Sequence, residues 1–277
     1  HRRTHRRASR APGGDRLIYA FSAAGIAHLD AVLATGAMLA FDIDGTLAPI
    51  VDHPADARLP DAVQRGLAAI AQRSDVAIIT GRAVDDARRM LSFEPRYLIG
   101  NHGAEGLPGW QDRSHSFAET VLRWREALQG SPALCAAGVS VEDKRYSMSL
   151  HFRRAADPAL ALREIERCIP ALQPPPRVFE GKAVVNLLPA NAPDKGDALR
   201  ALVEMTRCAS MLYVGDDDTD EAVFELRLPG VLTLRVEPAT GSAATLFVRD
   251  QGEVLTLIEH IALQPVPFRA TGECSSS

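Results

Sequence analysis

Short apolar runs that break off into polar clusters set the rhythm of this chain. The run from Ala37 to Asp42 predicts a buried strand, and so do Asp75 to Thr80 and Tyr97 to Gly100. Between them lie amphipathic stretches. Asp15 to Thr35 predicts a helix with Leu17, Phe21, Ile26, Leu29 and Leu33 inward. Pro60 opens a second helix carrying Val63, Leu67 and Ile70 on one face, and a third follows from Ala83 to Leu91. Leu47 to Leu59, broken by Pro49 and Pro54, is loop. Apolar strands alternating with helices predict an α/β fold whose parallel sheet is covered on both faces.

The alternation then lapses. Glu119 to Leu128 and Pro158 to Ile169 read as helices. Val139 to Glu142 and Ser147 to Phe152 read as a strand pair, with two short strands following at Arg177 to Phe179 and Ala183 to Leu187. Strands and helices without strict alternation predict a separate α+β insert over 105–189. The first pattern resumes with a helix from Lys195 to Met205, a strand from Met211 to Gly215, a helix from Thr219 to Leu226 and a strand from Val231 to Val236. The expected organisation is a core of 15–104 and 190–265, with a disordered basic tail over 1–14 and a second tail over 266–277.

Composition narrows the picture modestly. The chain has 277 residues, 46% of them hydrophobic, enough for a sizeable core in two domains. A net charge of −4 suggests neither nucleic-acid nor membrane binding, the Arg-rich start excepted. The apolar stretch from Leu17 to Phe41 is interrupted by His28, Asp30 and two glycines, so it makes a poor membrane span. Cys135, Cys168, Cys208 and Cys274 have neither metal nor redox spacing and read as thiols in a reducing cytoplasm.

The chemistry collects where strands end or helices start. Asp42 and Asp44 point the same way in an extended chain, and Gly45-Thr46 follows them. Alone, such a pair is ordinary turn chemistry. Three further clusters change that reading: Thr80-Gly81-Arg82, Lys195-Gly196, and Asp216-Asp217-Asp218-Thr219-Asp220-Glu221, which has five acidic groups in six positions. Ligands of open parallel sheets sit outside the carboxyl ends of the strands, so all four can meet there. Aspartate oxygens from the first and last clusters suit Mg²⁺. A carboxylate held against phosphorus can attack it, and a second carboxyl can protonate the leaving oxygen and then activate water. A hydroxyl and a lysine would steady the phosphate oxygens.

In order and strand context the four clusters resemble the motifs of the haloacid dehalogenase superfamily of phosphotransferases. That resemblance implies Asp42 as nucleophile, Asp44 as general acid/base, Thr80 as phosphate binder and Lys195 as the residue that steadies both nucleophile and phosphate. It implies metal ligation by Asp42, the backbone carbonyl of Asp44 and Asp216, with Asp217 and Asp220 supporting the metal or the lysine. Phe41 to Ile50, Thr80-Gly81-Arg82, Gly100 to Glu105 and Gly215 to Glu221 are similar to trehalose-6-phosphate phosphatases. The matched segments make Gly45, Thr46, Arg82, Asn101 and His102 further candidates for substrate contact. Within the insert, Val141 to Lys144, His151 to Arg153 and Gly181-Lys182 are similar to segments that reach the distal glucose, which makes Glu142, Lys144, Arg153 and Lys182 candidates for hydroxyl recognition. This chain departs from the family at Asn186 and Leu188, where an acid and a basic residue are usual. Asn186 can still bond hydroxyls but is neutral and shorter.

The expectation is a Rossmann-like parallel-sheet core with a smaller inserted α+β cap. Its activity would be Mg²⁺-dependent hydrolysis of trehalose 6-phosphate through an aspartyl-phosphate. A phosphatase for another sugar phosphate and a catalytically silent sugar-phosphate-binding regulatory domain stand as alternatives. The expected partner is a small-molecule sugar phosphate, and the expected form a cytoplasmic monomer or weak oligomer.

Overall fold

The computed structural model describes residues 17–52, 54–107, 109–181 and 183–264. Strands β1 (Ile18–Tyr19), β2 (Met38–Phe41), β3 (Val76–Ile79) and β4 (Tyr97–Ile99) come first. An insert contributes β5 (Ser140–Asp143), β6 (Met148–His151), β7 (Arg177–Gly181) and β8 (Val184–Leu188). The chain then returns through β9 (Met211–Gly215), β10 (Val231–Val236) and β11 (Leu246–Val248). Seven of these strands form one parallel sheet in the order β1-β11-β10-β9-β2-β3-β4.

Period-two alternation within the buried strands divides their side chains between two apolar layers. Leu39, Phe41, Ile78 and Val214 face one layer, built on helices α1 (Ala23–Leu33), α2 (Asp61–Ala71), α3 (Val84–Met90) and, near the C-terminus, α9 (Glu253–Leu263). Met38, Ala40, Ile79 and Tyr213 face the other, built on α7 (Lys195–Thr206) and α8 (Asp218–Phe224). Burial on both faces is why these strands are apolar throughout rather than alternating. Strand β2 has β3 on one side and the much later β9 on the other, so the strand order reverses there. A crevice opens at such a point, beyond the carboxyl ends of the strands.

The insert folds around an antiparallel sheet of order β5-β6-β8-β7. Helices α4 (Gln111–Leu128), α5 (Pro132–Ala136) and α6 (Pro158–Cys168) cover one face. Met148, Leu150, Val185 and Leu187 pack there with Trp124, Leu134 and Ile165. The register sets Glu142 opposite Ser149, Ser149 opposite Asn186, and Asn186 opposite Phe179, so these four share the other face. The chain enters the insert past Gly103 and leaves it at Asp194, and the two crossings touch. A Cβ on Gly103, whose φ is +115°, would fall 2.6 Å from the Asp194 carbonyl oxygen.

Two expectations need correction. The helix over Asp15 to Thr35 is shorter: Ile18 and Tyr19 pair with Leu246 and Phe247 as an edge strand, and Ser22 caps a helix that starts at Ala23. Sheet pairing wins because the apolar edge of β11 is available to these two residues. The helix expected from Glu119 begins at Gln111 instead, since its first turns are polar and carry no apolar signal. The expected tails, 1–14 and 266–277, lie outside the described residues, as do positions 15 and 16 of the expected helix. Among the described residues no helix is long and apolar enough to cross a membrane.

Trp124 centres the insert's core: its ring is fully buried and its Nε1–H donates to the Pro174 carbonyl at 2.8 Å. Trp124→Ala is expected to destabilise the protein by about 3–5 kcal/mol, read as a lower urea midpoint.

Candidate active site

At the end of β2 the chain makes a tight turn from Ile43 to Ala48, closed by Gly45 N–H to the Ala48 carbonyl and Ala48 N–H to the Ile43 carbonyl, both at 2.8 Å. Gly45 is required twice over. Its φ is +83°, and a Cβ there would lie 2.0 Å from Asp216 Oδ2. The turn therefore brings the backbone of the first acidic cluster directly against the carboxylate of the last.

Lys195 opens α7, where Asp194 and Asp197 form a capping box. Its ammonium is buried between two carboxylates, 3.1 Å from Asp42 Oδ2 and 2.8 Å from Asp220 Oδ1. Burial disfavours that charge, but Asp220 and Asp42 outweigh it and hold the lysine protonated. Asp220 has four donors: Lys195, the Tyr213 hydroxyl at 2.5 Å, and the N–H groups of Asp216 and Asp217 at 3.0 Å each. Its oxygens are thereby occupied. Asp42 differs, because its Oδ1 is buried and makes no hydrogen bond. Burial pushes the Asp42 carboxyl well up, opposed by Lys195 and reinforced by Asp220, Asp216 and Asp44.

Oxygens of Asp42, Asp216 and Asp220 lie within 4.8 Å of one another. Three buried acids lie together, two of them on one lysine, and one carboxylate oxygen is orphaned. That donor set fits a hard divalent cation. Because Asp220 is occupied by its donors, Asp42 and Asp216 are the side chains left to ligate. Thr46 stands behind them, its hydroxyl 3.4 Å from Asp216 Oδ1.

Arg82 grips Asp44. Its Nε and Nη2 donate to the two carboxylate oxygens at 2.6 and 2.7 Å, and Nη1 donates to Asp86 at 2.6 Å. Burial would lower its pKa, but the two aspartates raise it. Thr80 is fully buried behind Gly81 and accepts from the Arg82 N–H at 3.3 Å. Gly81 in turn lies against the imidazole of His102, where a Cβ would come 2.5 Å from Cε1.

The insert supplies the opposite wall. Glu142 accepts from His151 Nε2 at 2.7 Å and has the Lys144 ammonium at 3.9 Å. Burial would raise its pKa, but these partners prevail and hold it at about 2. Lys144 also donates to the Gly81 carbonyl at 3.0 Å. Asn101, at φ +52°, joins the two walls. Its amide donates to Glu105 at 2.7 Å and to the Lys144 carbonyl at 3.1 Å, and accepts from Ser147 at 2.5 Å. His102 is buried; burial, with Lys144 and Lys195 nearby, depresses its pKa well below the usual range, opposed by its side-chain interaction with Asn186.

Between the walls lies a cavity of about 510 Å³. Asp42, Asp44, Arg82, His102, Lys195, Asp216 and Asp217 line its core side. Glu142, Lys144, Arg153 and Asn186 line the insert side. Gly45, Thr46, Thr80, Asn101 and Asp220 lie behind the wall and hold it together rather than facing the cavity. Lys182 lies outside the described residues. His151 and Arg154 also reach the cavity, Ser149 supports Asn186, which does, and Tyr213 supports Asp220 behind the wall. Two of these carry a sequence signal: Tyr213 is the one phenol in an aliphatic strand, and His151 falls opposite Ser140, one same-face step from Glu142.

The family model described as trehalose-phosphatase matches residues 40–245, a span that includes every element of this cavity. The chain belongs to the trehalose-phosphatase family. It is 33% identical over 226 residues to a probable trehalose-phosphate phosphatase of Sinorhizobium fredii, covering 78% of this chain and 84% of that one. It is also 34% identical over 214 residues to a Mycobacterium tuberculosis protein named as an uncharacterized glycosyl hydrolase. That match takes in 69% of this chain, which spans only 15% of the longer relative. Among solved structures, the C-terminal domain of C. albicans trehalose-6-phosphate phosphatase has the same fold. The TM-score is 0.67 at 22% identity, over 90% of this chain and 99% of that one. The trehalose-phosphatase fold thus includes both sheets that enclose the cavity.

Two measurements check these electrostatics. Lys195→Met leaves two buried carboxylates facing each other and is expected to cost about 3–5 kcal/mol in urea unfolding, part of it recovered by adding Asp220→Asn. Glu142, whose pKa falls from 4.5 to about 2, contributes stability that is present above pH 4.5 and lost as pH falls toward 2. Its side chain is 41% exposed, so solvent screening reduces the contribution to about 1 kcal/mol. Wild type should exceed Glu142→Gln by that margin at pH 7, and the gap should narrow steadily below pH 4.5.

Proposed function

We propose that this chain is a phosphoric monoester hydrolase that converts trehalose 6-phosphate to trehalose and phosphate. The observation that carries the reading is Asp42 Oδ1, a buried carboxylate oxygen without a partner at the floor of the cavity. Family membership supplies the substrate class. Asp42 attacks phosphorus as the bond to the sugar oxygen breaks, giving an aspartyl-phosphate. Asp44, protonated, gives its proton to the departing sugar oxygen. As the carboxylate it then takes a proton from the water that attacks the phosphoryl group, which releases phosphate and restores Asp42. Arg82 holds Asp44 on the cavity wall through both oxygens. Lys195 opposes the rise in the Asp42 pKa and offsets charge on the phosphoryl oxygens. Mg²⁺, held by Asp42, Asp216 and the Asp44 carbonyl, would supply charge neutralisation of the phosphate. Asp217 and Asp220 maintain that arrangement.

On the other wall Glu142, Lys144, Arg153 and Asn186 meet the sugar hydroxyls, with His102 as a neutral partner and Lys182 in the same recognition segment. One observation favours a second reading, hydrolysis of a different sugar phosphate: Asn186 stands where the family usually carries an acid. Purified protein with Mg²⁺ should release phosphate from trehalose 6-phosphate far faster than from glucose 6-phosphate, and chelation should stop it. Equal rates would sink the substrate assignment. Asp42→Asn should stay folded and lose turnover by on the order of 10³-fold or more. A wild type without any turnover would instead favour a silent binding domain.

A further inference from the structure

Ser149 and Asn186 stand opposite each other on β6 and β8, on the cavity face of the insert's sheet. Ser149 is fully buried, and its hydroxyl donates to Asn186 Oδ1 at 2.7 Å. The other edge of the amide points elsewhere. A Cβ on Gly181 would lie 3.8 Å from Asn186 Nδ2 and 3.2 Å from Asp217 Oδ2, so Nδ2 and the Asp217 carboxylate approach the same small space. The amide therefore keeps its acceptor on the Ser149 hydroxyl, while its donor end lies toward a gap that Asp217 also borders, and His102 interacts with the same side chain. A carboxylate in place of Asn186 would stand near Asp217 as a like charge.

Glu142 lies across Ser149 in the same row, two strands from Asn186 and about 10 Å away between backbones. Its partners His151 and Lys144 keep it ionised, so it is an acceptor. The row thus has an acceptor at one end and an N–H donor at the other. A hydroxyl can donate or accept, and a polyhydroxylated ring lying along the row would do one at each end.

We infer that Ser149 and Asn186 act as one unit that sets the sugar specificity of the cavity: Ser149 is a positioning residue that holds the amide, and Asn186 donates to a sugar hydroxyl oxygen. The inference rests on the sugar-phosphate reading above and assigns a role to Ser149, which the family resemblance does not mark. Loss of the serine hydroxyl frees the amide to turn its carbonyl toward the ligand, and a buried polar mismatch of that kind costs about tenfold in affinity.

The test is equilibrium binding in chelator, where no turnover occurs, of trehalose 6-phosphate and of inorganic phosphate as reference. Relative to phosphate, Ser149→Ala and Asn186→Ala should each weaken trehalose 6-phosphate about tenfold, and the double variant should be no worse than Asn186→Ala alone. Ser149→Thr, which keeps the hydroxyl, should retain tight binding. Unchanged binding in Ser149→Ala, additive losses in the double variant, or no saturable binding by the wild type would each overturn the inference. If Ser149→Ala fails to fold, the comparison passes to Ser149→Thr, where a loss equal to that of Asn186→Ala overturns it. Phosphate release with Mg²⁺ is measured separately. The binding pattern without release defeats the hydrolase reading alone, and release without the pattern defeats this inference alone.

Discussion

A single buried ammonium makes the rest of the site possible. Lys195 stands between Asp42 and Asp220, and without it three buried carboxylates would lie together with no cation among them. Each ion removed from water costs several kcal/mol unless charge and hydrogen bonds return it. Three donors besides the lysine meet Asp220, so that acid is settled. Asp42 receives only the lysine, on one oxygen, and keeps the other free. The asymmetry separates an acid that supports from an acid that can react. It follows from placement alone: Asp220 sits in the first turn of α8, where backbone N–H groups are in excess, and Asp42 at the end of a strand, where they are not.

Much of the core was legible because its physics is local. Four-residue strands buried on both faces must be apolar, and Asp42 and Asp216 must follow strands if they are to meet beyond the sheet. Helix α2 announces itself through Val63, Leu67 and Ile70, all buried. What was not legible depends on partners far away in sequence. Nothing near Ile18 and Tyr19 says that β11 offers them an edge, so a strand reads as helix. Nothing beside Arg82 says that its guanidinium closes on Asp44, thirty-eight positions earlier. Nothing beside Asn101 says that its amide meets Ser147 and the Lys144 carbonyl. Long polar side chains can choose among several partners, and only the fold decides which are within reach.

The insert's sheet shows the opposite economy to the core sheet. One face is aliphatic and packs on Trp124, while the other carries the hydrogen-bonding groups of Glu142, Ser149, His151 and Asn186 beside Phe179. A two-sided sheet of this kind lets the cavity lining change without disturbing the helices behind it, since alternate residues belong to different environments. The core sheet has no such freedom, because every residue of β2 and β9 is packed on one side or the other.

The contact between Gly103 and Asp194 has a mechanical consequence. The two crossings meet at one narrow seam, and the insert is tied again beside it by Lys144 and Ser147 on Asn101 and Gly81. Lys195 is the next residue after Asp194, so the buried ammonium at the cavity floor is joined directly to the point where the insert's chain returns. Anchorage of the wall and placement of the reactive acid therefore share one stretch of backbone, and Gly103, without a side chain, lets the two crossings bear directly on each other.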